Sequence, residues 1–260
     1  MRLPEADILA LYERCRRYPA LQRAVVLLDY ARLEAAVAGA AATWPVDLQD
    51  LSLGQLNVGL LRLYGGLFSP QLHCQVRCPA CRQEFEFELP IDALVPEGSP
   101  AAAPWSERFG FADGELELRL RPLTAADFAA IAAVTEPELS STLLAERLIT
   151  GLRWHGSEPA PRLTGPHGRL RPDLVARISE SLAQQDPLAE LSLSLSCLSC
   201  GTEFSAPLSP ADFLWAELAA QARQISYQVH TLASAYGWSE GEILSLGEAR
   251  RQTYMEWLTT

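Results

Sequence analysis

The sequence CPACRQEFEFELPIDAL at residues 78–94 returns in a second form, CLSCGTEFSAPLSPADFL, at residues 197–214. Both segments open with a Cys-x-x-Cys pair, and in both a Glu-Phe dipeptide follows the second cysteine at the same distance. Two such pairs can supply four thiolates to one tetrahedral zinc ion. This pattern predicts a structural Zn²⁺ site that joins two distant parts of the chain. The predicted ligands are Cys78, Cys81, Cys197 and Cys200.

The cysteines allow other interpretations as well. One Cys-x-x-Cys pair alone is also the pattern of a redox dithiol, and four cysteines can pack without metal as small hydrophobic side chains. Disulfides fit least well, because the N-terminal stretch has acidic residues and no signal-peptide pattern, which favours a cytoplasmic location. Cys74 lies four residues before Cys78 and could replace one ligand, whereas Cys15 is expected in the hydrophobic core.

The overall charge limits the classes of partner. The chain has 260 residues and a formal net charge of −11, which argues against sequence-independent binding to nucleic acid. Its one basic cluster, Arg14, Arg16 and Arg17, is expected to be the solvated face of a helix. No stretch of 18 uncharged apolar residues is present, so no membrane span is expected.

The sequence gives no catalytic motif. Four cysteine ligands would close the coordination of the metal, whereas a catalytic zinc needs an open position. The zinc-deaminase pattern needs a proline before the cysteine pair, but Arg77 precedes Cys78 and Ser196 precedes Cys197. His-Glu-x-x-His, P-loop and Gly-x-Gly-x-x-Gly patterns are absent. We therefore expect a protein that is not an enzyme, and a hydrolase with a site invisible in the sequence is a weaker alternative.

Hydrophobic periodicity predicts an α+β protein, mainly helical with short strands. Its distinguishing part is a duplicated zinc-ribbon-like Cys-x-x-Cys module joined by one metal site. Helices are expected at residues 5–18, 21–41, 52–68, 123–134, 138–152, 172–184 and 214–236, followed by two short C-terminal helices. Strands are expected at residues 83–89, 115–121 and 191–195.

Local signals mark where several of these elements begin and end. Ser52 with Gln55 and Thr124 with Asp127 have the spacing of helix N-terminal caps, as do Ser239 and Ser245 with the glutamates three residues on. Pro45 is expected to break the second helix, and Gly65-Gly66 to stop or kink the third. Residues 95–105 are predicted to be a linker, and residues 155–172 a flexible or partner-contacting loop.

Five regions follow from these elements. The divisions are an N-terminal helical region at 1–70, the first zinc-ribbon half at 71–94, a linker with strand and helices at 95–190, the second half at 191–209, and a C-terminal helical region at 210–260. Several C-terminal aromatic residues could anchor an interface or fill the core. They are Trp215, Tyr227, Tyr236, Trp238, Tyr254 and Trp257.

Three segments, 51–94, 116–133 and 193–258, resemble a family of baseplate-assembly proteins of contractile phage-tail-like injection systems. The most specific one contains the second cysteine pair, FLWAE, VHTLASAYGWSEGEIL and a terminal RRxxY. The chain differs from the usual family pattern at Arg82, where glycine is usual, and at Leu198, where proline is usual. Residues 55–57 are Gln-Leu-Asn where the family tends to have Arg-Arg-Asp.

The resemblance implies a non-enzymatic baseplate component or assembly chaperone. Its implied partners are other baseplate or tail proteins, and its implied location is the cytoplasm, with or without incorporation into the particle. An alternative from the cysteine pattern is a zinc-ribbon protein associated with nucleic acid or transcription. The net charge of −11 disfavours that alternative.

Overall fold

The computed structural model describes residues 3–37, 48–95, 103–157, 162–165 and 168–259, and it is mixed α+β as predicted. Its helices are α1 (Glu5–Cys15), α2 (Ala20–Val37), α3 (Leu53–Leu67), α4 (Ile91–Leu94), α5 (Ala125–Ala130), α6 (Pro137–Leu148), α7 (Pro172–Gln185), α8 (Pro210–Tyr236), α9 (Glu240–Ser245) and α10 (Glu248–Thr259). Its strands are β1 (Gln71–Arg77), β2 (Glu84–Pro90), β3 (Trp105–Phe111), β4 (Gly114–Leu120), β5 (Ile149–Gly156), β6 (Leu191–Ser196) and β7 (Glu203–Leu208).

The first hydrophobic core is formed by α1, α2, α3 and α8. On α8, the buried Leu214, Leu218 and Ala222 recur every four residues, so they form one apolar stripe that packs against the other helices. Leu72 of β1 and Leu208 of β7 are buried in the same core. Two antiparallel hairpins, β1–β2 and β6–β7, are therefore both rooted in this helical layer.

The second core lies, in sequence, between the two hairpins. Strands β3, β4 and β5 form an antiparallel sheet in that order, and one face of it packs against α6 and α7. Leu116, Leu118 and Leu120 alternate along β4 toward this core, as predicted, and Leu174 and Ile178 of α7 are fully buried against them. The segment between the hairpins thus has its own hydrophobic centre.

Polar contacts join the two cores. The carboxylate of Asp186, at the C-terminal end of α7, accepts a hydrogen bond from the N–H of Gly54 at 3.1 Å. The side chain of Asn57 donates to the carbonyl of Leu188 at 2.8 Å. Asp186 is buried, and it satisfies a free N–H of the first turn of α3. These bonds fix where the second core meets the first.

The C-terminal helices form a smaller cluster around Leu232, Ile243 and Met255. The buried guanidinium of Arg251 on α10 pairs with Glu5 of α1 and donates to the carbonyl of Leu246 at 2.6 Å. A buried charge with this many partners is stabilised only in one arrangement of its neighbours. Arg251 therefore ties α10 to α1 across the fold.

The cap predictions are confirmed at three of the four sites. Ser52 and Ser239 each form reciprocal hydrogen bonds with the residue three positions on, the Asp127 carboxylate accepts from the N–H and hydroxyl of Thr124, and Gly237 ends α8 in a left-handed conformation. The prediction for Ser245 is wrong, because this residue is the last of α9 and its hydroxyl donates to the carbonyl of Glu242. The Ser245 hydroxyl therefore pairs with a carbonyl group at the end of α9 and does not cap the start of α10.

Two other predictions need correction. Gly65-Gly66 does not stop α3, which continues to Leu67, because packing of the apolar stripe outweighs the low helix propensity of glycine. The helix expected at 138–152 ends at Leu148, and Ile149 begins β5, whose pairing with β4 overrides the helical pattern. Strands β1 and β3 had no prediction: in β1 the alternation of Leu72, Cys74 and Val76 with polar residues was not used, and the sequence of β3 alternates only weakly.

Some predictions fall partly or wholly outside the described residues. The break at Pro45 and most of the 95–105 linker lie there, although Trp105 already belongs to β3. The 155–172 loop is described in part, and there Thr164 and Leu170 form an isolated antiparallel bridge. Within the described ranges, no helix combines the length and hydropathy needed to cross a membrane.

Candidate metal centre

The two cysteine pairs lie in the turns of the two hairpins. The last paired residues before the turns are Arg77 with Glu84 in the first hairpin and Ser196 with Glu203 in the second. Alternation along the strands places Phe85 and Phe204 on the apolar faces, where their rings meet edge to face at 6.3 Å. The hairpins are thus in contact next to the turns that carry the cysteines.

The two turns are alike in their backbone hydrogen bonds. The N–H of Cys78 donates to the carbonyl of Gln83 at 2.9 Å, and the N–H of Cys197 donates to that of Thr202 at 3.0 Å. The residue after the second cysteine is left-handed in both turns, Arg82 with φ 62° and Gly201 with φ 72°. The sequence duplication therefore corresponds to a duplicated structure, and Arg82 occupies a conformation that favours glycine.

The four sulfur atoms converge on one point, as the sequence predicts. All of them lie within 4.8 Å of one another. The shortest contacts join the hairpins crosswise, Cys78 Sγ to Cys200 Sγ at 3.7 Å and Cys81 Sγ to Cys197 Sγ at 3.6 Å. Zinc–sulfur bonds of about 2.3 Å in a tetrahedron put the sulfurs about 3.8 Å apart. The four cysteines are therefore close enough to hold a metal ion.

The two hairpins contribute to the site in the same way. Cys78 and Cys197, the first cysteine of each pair, are buried, whereas Cys81 and Cys200 are exposed. Each hairpin thus presents one sulfur from beneath and one from the solvent side. A metal bound by all four would have its coordination filled by protein, which leaves no position for substrate or water.

The thiols influence one another strongly. A hydrogen bond from the backbone N–H of Cys81 lowers the pKa of Cys78, and the Thr202 hydroxyl, 3.3 Å from the sulfur, lowers the pKa of Cys200 to about 6. The backbone N–H of Gln83 acts in the same direction on Cys81, but desolvation and the three neighbouring sulfurs outweigh it and raise that pKa to about 12. Desolvation and the neighbouring sulfurs thus favour the protonated form of Cys81, and a bound dication would displace that proton.

The other two cysteines lie apart from this group. Cys74 is buried in the first core, with its sulfur 3.8 Å from the carbonyl oxygen of Leu72, and Cys15 is fully buried in the same core, as predicted. Burial raises the pKa of both thiols. Neutral buried thiols pack as small hydrophobic side chains, so the structure does not support Cys74 as a replacement ligand.

The described residues contain no second site of this kind. Within them, the four cysteines are the one group of three or more His, Cys, Asp or Glu side chains whose ligand atoms converge. Two of the C-terminal aromatic residues, Tyr227 and Trp257, are largely exposed and therefore do not fill a hydrophobic core.

No protein-family model, curated protein or solved structure matches the chain.

Proposed function

We propose that the protein is a non-catalytic scaffold whose two hairpins are clasped by one structural zinc ion. The observation that carries the proposal is the convergence of four cysteine sulfurs within 4.8 Å, from turns more than a hundred residues apart. Sulfur-only ligation is typical of structural zinc and of iron–sulfur clusters, and the paired Cys-x-x-Cys turns favour zinc. The metal would hold together the two ends of the segment that forms the second core.

The wider role that we propose is assembly of the baseplate of a contractile phage-tail-like injection system. This role rests on the resemblance of segments 51–94, 116–133 and 193–258 to baseplate-assembly proteins, together with a closed ligand set that favours a scaffold over a catalyst. Exposed aromatic side chains such as Tyr227 and Trp257 suit contacts with other baseplate proteins.

Metal analysis tests the zinc clasp. Protein purified without added metal should contain one zinc per chain by elemental analysis, with no iron and no visible absorption. Cys81→Ser should lose most of the zinc, whereas the matched control Cys74→Ser should retain it, because Cys74 lies outside the sulfur group. Zinc-free wild-type protein, or equal zinc loss in the two variants, would contradict the clasp.

The assembly role needs a separate experiment. Deletion of the gene in its host should abolish or reduce sheathed particles seen by electron microscopy, and the wild-type gene should restore them. The Cys81→Ser gene should restore fewer particles than the Cys74→Ser gene. Normal particles in the deletion strain would refute the assembly role and leave the zinc clasp standing. Salt-sensitive binding of the purified protein to DNA or RNA would favour the nucleic-acid alternative instead.

A further inference from the structure

The surface at the C-terminal end of α1 is positively charged, whereas the chain as a whole is acidic. Residues 13–23 contain four arginines and one glutamate, which gives +3, whereas the whole chain has a net charge of −11. We call Arg14, Arg16, Arg17 and Arg23 the arginine patch. The first three are exposed and Arg23 is partly exposed.

The four arginines of the patch have no carboxylate partner in the part of the chain that the structure describes. Eight arginines outside the patch form ion pairs with carboxylates, and the other arginines of the described ranges, such as Arg62 and Arg119, do not; the eight are Arg32, Arg77, Arg108, Arg121, Arg147, Arg169, Arg171 and Arg251. Arg23 on α2 and Tyr12 on α1 both contact the Trp215 ring, so the patch continues from α1 onto α2.

An aromatic support fixes one side of the patch. The guanidinium of Arg23 lies 4.5 Å from the centre of the Trp215 indole, and the Tyr12 ring stacks on the same indole at 5.3 Å. The Nε atom of Arg23 is buried and has no hydrogen-bond partner among the described residues. The Arg23 side chain is therefore held in place by stacking on Trp215, and not by an ion pair with a carboxylate of the described residues. Tyr18, which follows Arg17 in the sequence, is also exposed.

Helix electrostatics explain only part of this arrangement. A cation in the last turn of a helix interacts favourably with the helix dipole, which accounts for Arg14 at the end of α1. Arg23 lies instead in the first turn of α2, where the dipole disfavours a cation. Its position is thus unfavourable for the isolated helix, and its charge is available to a ligand outside the chain.

We propose that the arginine patch binds a carboxylate-rich segment of a partner protein. Guanidinium groups bind carboxylates through paired hydrogen bonds, and unpaired arginines with aromatic neighbours are common anchors of protein interfaces. The patch is small, and the remainder of the chain is strongly acidic. A long nucleic acid would extend over that acidic surface, whereas a short acidic segment fits within the patch. The inference holds for any assembly partner and does not depend on zinc.

Peptide binding tests this inference. The zinc-loaded full chain is titrated into a fluorescein-labelled oligoglutamate peptide, and anisotropy is measured at low and at physiological ionic strength. A triple variant, Arg14→Glu with Arg16→Glu and Arg17→Glu, should bind about tenfold more weakly or worse. The matched control reverses three exposed arginines without carboxylate partners and should weaken binding less than about threefold. Its changes are Arg62→Glu, Arg119→Glu and Arg250→Glu.

Two further measurements keep the outcome clear. A neutral triple variant, with glutamine at the three α1 positions, should also lose binding while its circular dichroism and zinc content match the wild type. An oligothymidylate of the same charge should bind more weakly than the peptide. Equal losses in the patch and control variants, no peptide binding by the wild type, or tighter binding of the oligothymidylate would overturn the proposal.

Discussion

Loss of one metal ligand should destabilise this protein far more than loss of an ordinary exposed side chain. Cys81 is exposed, so its replacement by serine leaves no cavity in the core. Its sulfur lies 3.6 Å from that of Cys197, which is 116 positions away along the chain. Cross-linking a loop of that length removes unfolded-state entropy worth about 5 kcal/mol in the chain-entropy relation for disulfides. A four-thiolate metal imposes a comparable constraint.

That free energy converts into a large thermal shift. Unfolding entropy is about 2.1 cal/mol/K per residue near 60 °C, so for a chain of 260 residues about 5 kcal/mol corresponds to about 9 °C in Tm. Because ordinary domains are stable by only about 5–15 kcal/mol, the clasp would supply a large part of the total. Its loss should separate the two hairpins first, since their turns meet through the metal ligands and one aromatic pair.

Calorimetry with and without a strong chelator measures this effect. Wild-type protein plus chelator and the Cys81→Ser variant should melt at similar, lower temperatures, and chelator should not affect the variant further. Leu198→Ala is the control in the same kind of turn, because Leu198 is 89% exposed and offers no ligand. It should change Tm by less than about 1 °C. A fall of less than about 2 °C on complete zinc removal would refute the clasp as a source of stability.

Three further predictions concern single residues. Arg82→Gly should stabilise the protein by about 0.5–1 kcal/mol, because the left-handed φ of 62° is strained for arginine. Gly54→Ala should cost about 2 kcal/mol, since a Cβ there would lie 1.9 Å from an Asp186 carboxylate oxygen and break its hydrogen bond. Asp127→Asn should also cost about 2 kcal/mol at neutral pH. Hydrogen bonds from Arg121, opposed by burial, lower the pKa of Asp127 from 3.8 to about 2. Stability from this carboxylate is fully present well above its ordinary pKa of 3.8 and is lost as the pH falls through about 2.

Denaturant unfolding measures all three, and each has a matched control. Gly201→Ala, in the equivalent turn, should destabilise by about 1 kcal/mol, and a gain there would show that the turns do not need a left-handed residue. Gly66→Ala, in open space on the same helix as Gly54, should be neutral or stabilising. The exposed Asp113→Asn should change stability by less than about 0.5 kcal/mol. If the stability of Asp127→Asn still falls between pH 3.8 and 2, groups other than Asp127 cause that pH dependence.

Local sequence patterns were sufficient to predict much of the fold. Helix N-terminal caps at Ser52, Thr124 and Ser239 were predictable because both partners of each cap lie within four residues. Alternation along β4 and β6 was predictable because side chains of a strand point to opposite faces in turn. The change from helix to strand at Ile149 was not, since it depends on pairing with β4 some thirty residues earlier.

The sequence by itself determined the candidate metal ligands, because the duplicated Cys-x-x-Cys turns are a local signal that needs no knowledge of the fold. Only the tertiary structure decided that Cys78 lies nearest Cys200 and Cys81 nearest Cys197. It also decided that Arg251 reaches Glu5. These are contacts between residues more than a hundred positions apart. Burial of two hydrophobic cores brings such residues together, and no short-range periodicity encodes which of them will meet.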